Sequence, residues 1–236
     1  MIGPLARYVG DLYPILQIIE GPDHVDPALV PMPLGDPAEV DLSQLRVAFY
    51  DYDGYREATE ATRSVVRAAA AAVDGFVLAV DEGRPAGIER SLDVWAGLFY
   101  ADGGAMADRL RAAAGQQPLS DQHAVGLGGD ELDALFDAWY SLRQEMSGFF
   151  ADHDVAICPV HTQPAPLHGE LSPQDASYTM AYNLTGWPVA VVRAGTSAEG
   201  LPIGVQIVAA PGREDIALAV AGLIESELGG FHPPTL

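Results

Sequence analysis

The chain has 236 residues, of which 49% are hydrophobic, enough apolar side chain for a core and too much for a disordered polymer. Its 33 acidic and 12 basic residues give a net charge of −21, which repels phosphate backbones and anionic lipid and argues against nucleic-acid and membrane-surface roles. No apolar run reaches the roughly 18 residues of a spanning helix. The start lacks a signal-peptide pattern, and the single cysteine, Cys158, permits no internal disulfide, so a cytoplasmic location is expected.

Helix and strand patterns alternate along the chain. Residues 8–20 predict a helix with Val9, Leu12, Leu16 and Ile19 on one face, stopped by Gly21-Pro22. Pro14 fits its first turn if Asp11 is the N-cap. Residues 21–41 hold five prolines and predict a loop. "RVAFY" at 46–50 predicts a strand, 59–73 a helix capped by Thr59, and "GFVLAVDEG" at 75–83 another strand. Helices follow near 86–113, interrupted around Gly103-Gly104, and over 130–150, with Asp130 as its cap. "DVAICPV" at 154–160 predicts a short buried strand. Strands at 189–195 and 201–210 are joined by a hairpin-like "TSAEG", and a helix over 213–225 closes the chain. This alternation predicts an α/β sheet, with the 189–210 pair as its antiparallel or mixed element.

Taken singly, the chemistry-bearing residues give no catalytic set. The nearest match to a nucleophile elbow, Gly195-Thr196-Ser197-Ala198-Glu199, fails at its last position and lies between two strands rather than before a helix. Cys158 sits in an aliphatic strand and reads as a buried structural thiol. His153, His161, His168 and the run Asp23-His24-Val25-Asp26 match no metal-ligand spacing and read as polar surface. "GLGGDE" at 126–131 lacks the strand, Lys and Ser/Thr of a phosphate loop. Asn183-Leu184-Thr185 fits a glycosylation pattern that a cytoplasmic chain does not use. The stretch "ASYTMAYNLTGWPVAVV" at 176–192 predicts a helix from about Ser177 ended by Gly186, then a strand behind Trp187-Pro188. Locally it suits either a packed helix-to-strand joint or a pocket wall. All 12 basic residues are arginines, so the chain contains no lysine.

Several motifs in order resemble one family. "IGPLARYVGDLYPILQIIEGPDHVDP", "DVAICPV" and "YNLTGWPVAVVRAGTSAEGLPIGVQIVA" are similar to the amidase signature enzymes, with matches at Asn183, Gly186, Pro188, Gly200-Leu201-Pro202, Gly204 and Gln206. The resemblance covers essentially the whole chain, most weakly about 84–130, and leans toward bacterial amidases of the fatty-acid-amide and indoleacetamide types. It implies the C-terminal part of the amidase signature fold, a mixed sheet flanked by helices, so that residues 1–236 form a single partial domain. It also implies cleavage of carboxamides through a Ser nucleophile, a second Ser and a Lys base, with no cofactor and no metal. In the family those catalytic groups precede the segment like "GPLAR", so no catalytic residue is assigned here and the chain is expected to be inactive alone. The resemblance makes Tyr178, Tyr182, Asn183, Thr185 and Trp187 the expected substrate-pocket wall. The implied ligand is a small-molecule amide with an apolar or aromatic acyl group. The implied partner is an N-terminal amidase half or another copy of the chain. A non-catalytic acidic binding protein that keeps part of the pocket is the alternative.

Overall fold

A computed structural model describes residues 3–22, 25, 27, 31–117, 125–170 and 172–233. Five strands form one mixed sheet: β1 (Arg46–Phe49), β2 (Ala79–Glu82), β3 (Val155–Pro159), β4 (Val189–Thr196) and β5 (Pro202–Ala209), in the order β2-β1-β3-β5-β4. β1 runs parallel to both neighbours, pairing Val47 with Val80 and with Val155. β5 runs antiparallel to β3 and to β4. The expected α/β class and mixed sheet are what the chain adopts.

Helices cover both faces. On one lie α2 (Glu60–Val73) and α7 (Glu214–Leu228), where Val66, Ala69, Val73, Val220 and Ile224 bury against Val47, Val155, Ile157 and Ile207. On the other lie α3 (Ser91–Phe99), α5 (Gly129–Ser147) and α6 (Ser177–Thr185), closing over Tyr50, Ala156, Cys158 and Val208. All five residues of β3 are buried, as expected for a strand covered on both faces. Each large aliphatic residue so buried contributes about 1.5–3 kcal/mol of transfer free energy. The short helices α1 (Leu12–Ile19) and α4 (Ala105–Ala113) sit outside this sandwich, with no fully buried residue.

Local chemistry sets the element ends. Thr59 Oγ1 accepts from Thr62 N–H at 3.4 Å and starts α2 as expected. α5 departs from expectation. Gly128 occupies the cap, and the Glu131 carboxylate reaches back to its N–H at 2.9 Å, so Asp130 lies inside the first turn, where it still favours the positive helix end. Asp11 precedes α1 in helical conformation and makes no side-chain cap bond; α1 is anchored instead by Val9 N–H donating to the Glu225 carboxylate of α7 at 3.0 and 3.1 Å. β2 starts at Ala79 because the chain before it turns outward: Phe76 N–H returns to Val73 O, and Phe76 and Leu78 are exposed. Of the expected loop at 21–41, residues 23, 24, 26 and 28–30 lie outside the described residues, and with them Asp23, His24 and Asp26 of the acidic-histidine run. The described end of that loop carries a 3-10 turn at Pro37–Glu39 capped by Asp36.

β4 needs one glycine. At Gly195 the ladder shifts register, and a Cβ there would lie 2.4 Å from Cγ2 of Val65 on α2. The hairpin beyond is fastened by Ser197, whose N–H donates to Leu201 O at 2.8 Å and whose Oγ accepts from Glu199 and Leu201 N–H at 3.3 Å each.

Candidate functional site

The polar residues concentrate at the C-terminal ends of the parallel strands β1 and β3, where α/β sheets place their ligand crevices. β1 runs into residues 50–58, β3 into residues 160–176, and α6 follows across the same side of the sheet. Asp53 is buried and accepts from Tyr55 and Arg56 N–H, each at 2.9 Å, and from Ser177 Oγ at 2.5 Å. This bond holds the first turn of α6 to the loop after β1. Asp175 is also buried and pairs with the half-exposed Arg56 at 2.8 Å. Thr162 N–H donates to Asp175 O at 3.1 Å, and Thr59 N–H donates to Thr162 O at 2.7 Å. Every member of this group is tied to another loop, so the group positions backbone. His161 contacts Gln163 through Nδ1, while its buried Nε2 has no hydrogen-bond partner among the described residues.

α6 carries four of the five expected wall residues, and they divide by face. Tyr178, Ala181, Tyr182 and Leu184 point inward at helical spacing, all buried. Tyr178 OH donates to Arg56 O at 2.8 Å. Its backbone oxygen accepts from the Gln206 amide at 2.8 Å, and the same nitrogen donates to Pro159 O at 2.7 Å. Tyr182 OH lies 2.5 Å from Tyr50 OH and 3.7 Å from Cys158 Sγ. Trp187, in the link to β4, is buried against Phe150, with ring centroids 4.5 Å apart. Asn183 is exposed on the outer face, its amide donating to Thr179 O at 2.9 Å. Thr185 is half-buried, its Oγ1 donating to Ala181 O at 3.0 Å. Gly186 ends the helix with φ 71°, the left-handed conformation glycine adopts freely.

The electrostatics keep this cluster neutral. Burial pushes the Cys158 thiol up to about 12, and burial raises the Tyr50 and Tyr182 hydroxyls well above their ordinary value. Tyr178 is raised by burial first and by the charge of Asp53 second. Such a thiol is not a nucleophile at neutral pH. Ser197 is committed to its turn, its Oγ accepting from the Glu199 and Leu201 N–H groups. Among the described residues no group of three or more His, Cys, Asp or Glu is arranged to hold a metal ion. No helix among them is long and apolar enough to cross a membrane.

Tyr50, Asp53 and Ser177, which join α6 to the sheet, are not among the site residues expected from the sequence. The run Asp51-Tyr52-Asp53-Gly54 directly after a predicted parallel strand was the available signal. Two open clefts, of about 210 Å³ beside Leu16, Met32 and Glu214 and about 240 Å³ beside Phe49, Ala70 and Val80, lie away from α6. The second is a groove between α2 and the β2 end of the sheet.

The chain matches the family model described as Amidase over residues 1–218. It is similar to fatty-acid amide hydrolase 2-A of Danio rerio, 27% identical, with 98% of this chain aligned to 48% of that protein. It is also similar to indoleacetamide hydrolase of Bradyrhizobium japonicum, 28% identical, with 96% of this chain aligned to 52% of that one. A solved fatty acid amide hydrolase superposes with a TM-score of 0.81 at 20% identity, covering 96% of this chain and 48% of that chain, which fixes the fold. The chain thus spans about half the length of the curated relatives it matches. Matched from residue 1 to residue 218, the chain belongs to the amidase signature family.

Proposed function

We propose that this chain serves hydrolysis of the C–N bond of small-molecule carboxamides, as the substrate-side part of an amidase signature domain whose nucleophile and base come from a further polypeptide segment. The observation that carries this reading is the family match over residues 1–218 in a chain whose cysteine is buried and neutral and whose sequence contains no lysine. A lysine base near neutral pH is the proton acceptor that the family chemistry requires. The residues here therefore bind and orient, and the chain taken alone is inactive.

The division of α6 refines the wall. Tyr178, Tyr182 and Trp187 hold the helix, because their polar or aromatic groups are spent on Arg56, Tyr50 and Phe150. Asn183 and Thr185 have access from outside and meet the acyl side of the substrate. The names of the relatives, fatty-acid amide hydrolase and indoleacetamide hydrolase, support an apolar or aromatic acyl group.

The test is amide hydrolysis, measured with an aromatic and a long-chain acyl amide. The chain alone is expected to give no turnover, and the chain joined to the part of the indoleacetamide hydrolase outside the match is expected to restore it. In that restored enzyme Asn183→Ala raises KM severalfold with little loss in kcat. Turnover by the chain alone that survives Cys158→Ala and Ser197→Ala would reject the assignment of roles.

A further inference from the structure

The helical layer contains a 19-residue helix that the chain leaves largely bare. α5 has two buried residues, Leu142 and Met146, both near its end. Before them its inner side is held in part. Leu135 meets Gly97 of α3, where a Cβ would lie 2.8 Å from Leu135 Cδ1, and Trp139 Nε1 donates to Leu184 O of α6 at 2.9 Å. Its outer side carries Asp133, Phe136, Asp137 and Tyr140, at the i, i+3, i+4, i+7 spacing of one helical face, and all four are exposed. Two aromatic rings thus alternate with two carboxylates along one stripe.

α4 repeats the pattern with the opposite sign. Met106, Arg109, Leu110 and Ala113 have the same spacing and are all exposed, Met106 at 58% and Leu110 at 62%. Arg109 is held loosely, by Asp102 at 3.6 Å, with 72% of its side chain exposed. A helix of nine residues draws its stability in water from a packed apolar face, yet α4 has no buried residue. The start of α5 lies beside the turn before α4, because Leu127 N–H donates to Ala101 O at 2.8 Å. Phe99 and Tyr100, at the end of α3, extend the apolar surface; their exposed rings meet edge to face with centroids 5.0 Å apart. Apolar surface gathered in this way marks an interaction site.

Each stripe suits the other. Arg109 matches Asp133 and Asp137 in charge, and Met106 and Leu110 match the rings of Phe136 and Tyr140. In a two-fold dimer such a pair of patches meets twice, once in each direction.

We propose that this face is a homodimer interface, in which α4 of each copy lies against the outer face of α5 of its partner. The occupant is a second copy of this chain because a surface of net charge −21 repels its like unless a basic group is set opposite carboxylates, and α4 supplies that group. The inference is independent of the reaction that the chain serves.

The experiment is sedimentation equilibrium of the full chain at about 0.15 M salt, where charges are screened beyond about 8 Å. The expected state is a dimer. Arg109→Asp sets a carboxylate against Asp133 and Asp137 at both contacts and is expected to weaken association about tenfold or more. The double variant Asp133→Arg with Asp137→Arg sets like charges against Arg109 and is expected to do the same. All three positions are exposed, so both proteins should keep the circular dichroism of the parent. Mixed in equal amounts, the two variants should associate with each other as the parent does with itself, since every contact of the mixed dimer then joins opposite charges. Leu78→Asp, as exposed as Leu110 but beside β2, should leave association unchanged. A monomer at all concentrations, a dimer indifferent to Arg109→Asp, or two variants that stay apart when mixed would each overturn the proposal. So would a monomeric fusion to the part of the Bradyrhizobium japonicum indoleacetamide hydrolase outside the match in which hydrogen exchange slows over α4 and α5, which would assign the face to that part. Capture of the monomer by phosphatidylcholine vesicles would assign it to lipid and overturn the proposal equally.

Discussion

Cys158 and the two tyrosines beside it make a buried group that holds its protons. The thiol, ordinarily near 9.0, is raised to about 12 by burial. A folded value above the unfolded one means that the native state keeps a proton the unfolded state loses, so the stabilisation is complete below pH 9 and declines between pH 9 and 12. Tyr50 and Tyr182, shifted in the same direction by burial, add to the decline above pH 10. Unfolding free energies from urea titrations should therefore be flat up to about pH 9 on this account and fall beyond it, by an amount on the order of a few kcal/mol. Cys158→Ala should make the fall shallower. A thiol-reactive disulfide at pH 8 should label Cys158 at the rate of unfolding only; rapid native labelling would contradict the burial. Tyr182→Phe removes the partner of a buried hydroxyl and is expected to cost about 1–3 kcal/mol in the same titration.

The elements were largely legible before the structure, because each carries its own period or stop. Strands at 46–50, 154–160 and 189–195 announce themselves as aliphatic runs, and Gly186 stops α6 at its predicted place. The start of β2 was less so, because exposure, not composition, sets apart Phe76 and Leu78. The division of the wall residues was partly legible: Tyr178, Ala181 and Tyr182 lie on one helical face. Nothing local says that Tyr50, 132 positions away, completes their bonding. The same limit hides the contact of Gly195 with Val65. Since Val65 is β-branched and buried, it has little room to turn, and Gly195→Ala is expected to cost about 1–3 kcal/mol. Combined with Val65→Ala, the two costs should fall short of their sum in denaturant titrations. Simple additivity would mean that α2 does not press on β4.

At the scale of the molecule, charge governs. With a net of −21, the compact state repels itself, and salt relieves that repulsion. Raising ionic strength from 0.01 to 0.15 M shortens the screening length from about 30 Å to about 8 Å. The melting temperature should rise over that range; a fall would show that local pairs such as Arg67 with Asp51 outweigh the net repulsion. The nearly threefold excess of carboxylates over arginines also bears on the proposed function. A neutral amide gains nothing from this field, so on that reading its selection would rest on shape and hydrogen bonds near α6.

Tyr178 gives that last point a practical edge. Its hydroxyl holds the loop after β1, its carbonyl is held by Gln206, and its ring is fully buried. Libraries at 178 would therefore be filled with misfolded protein, whatever property is selected. On the proposed function, diversity placed at 183 and 185, on the outward side of the same helix, spends the search on recognition and gives up only local bonds to Thr179 O and Ala181 O.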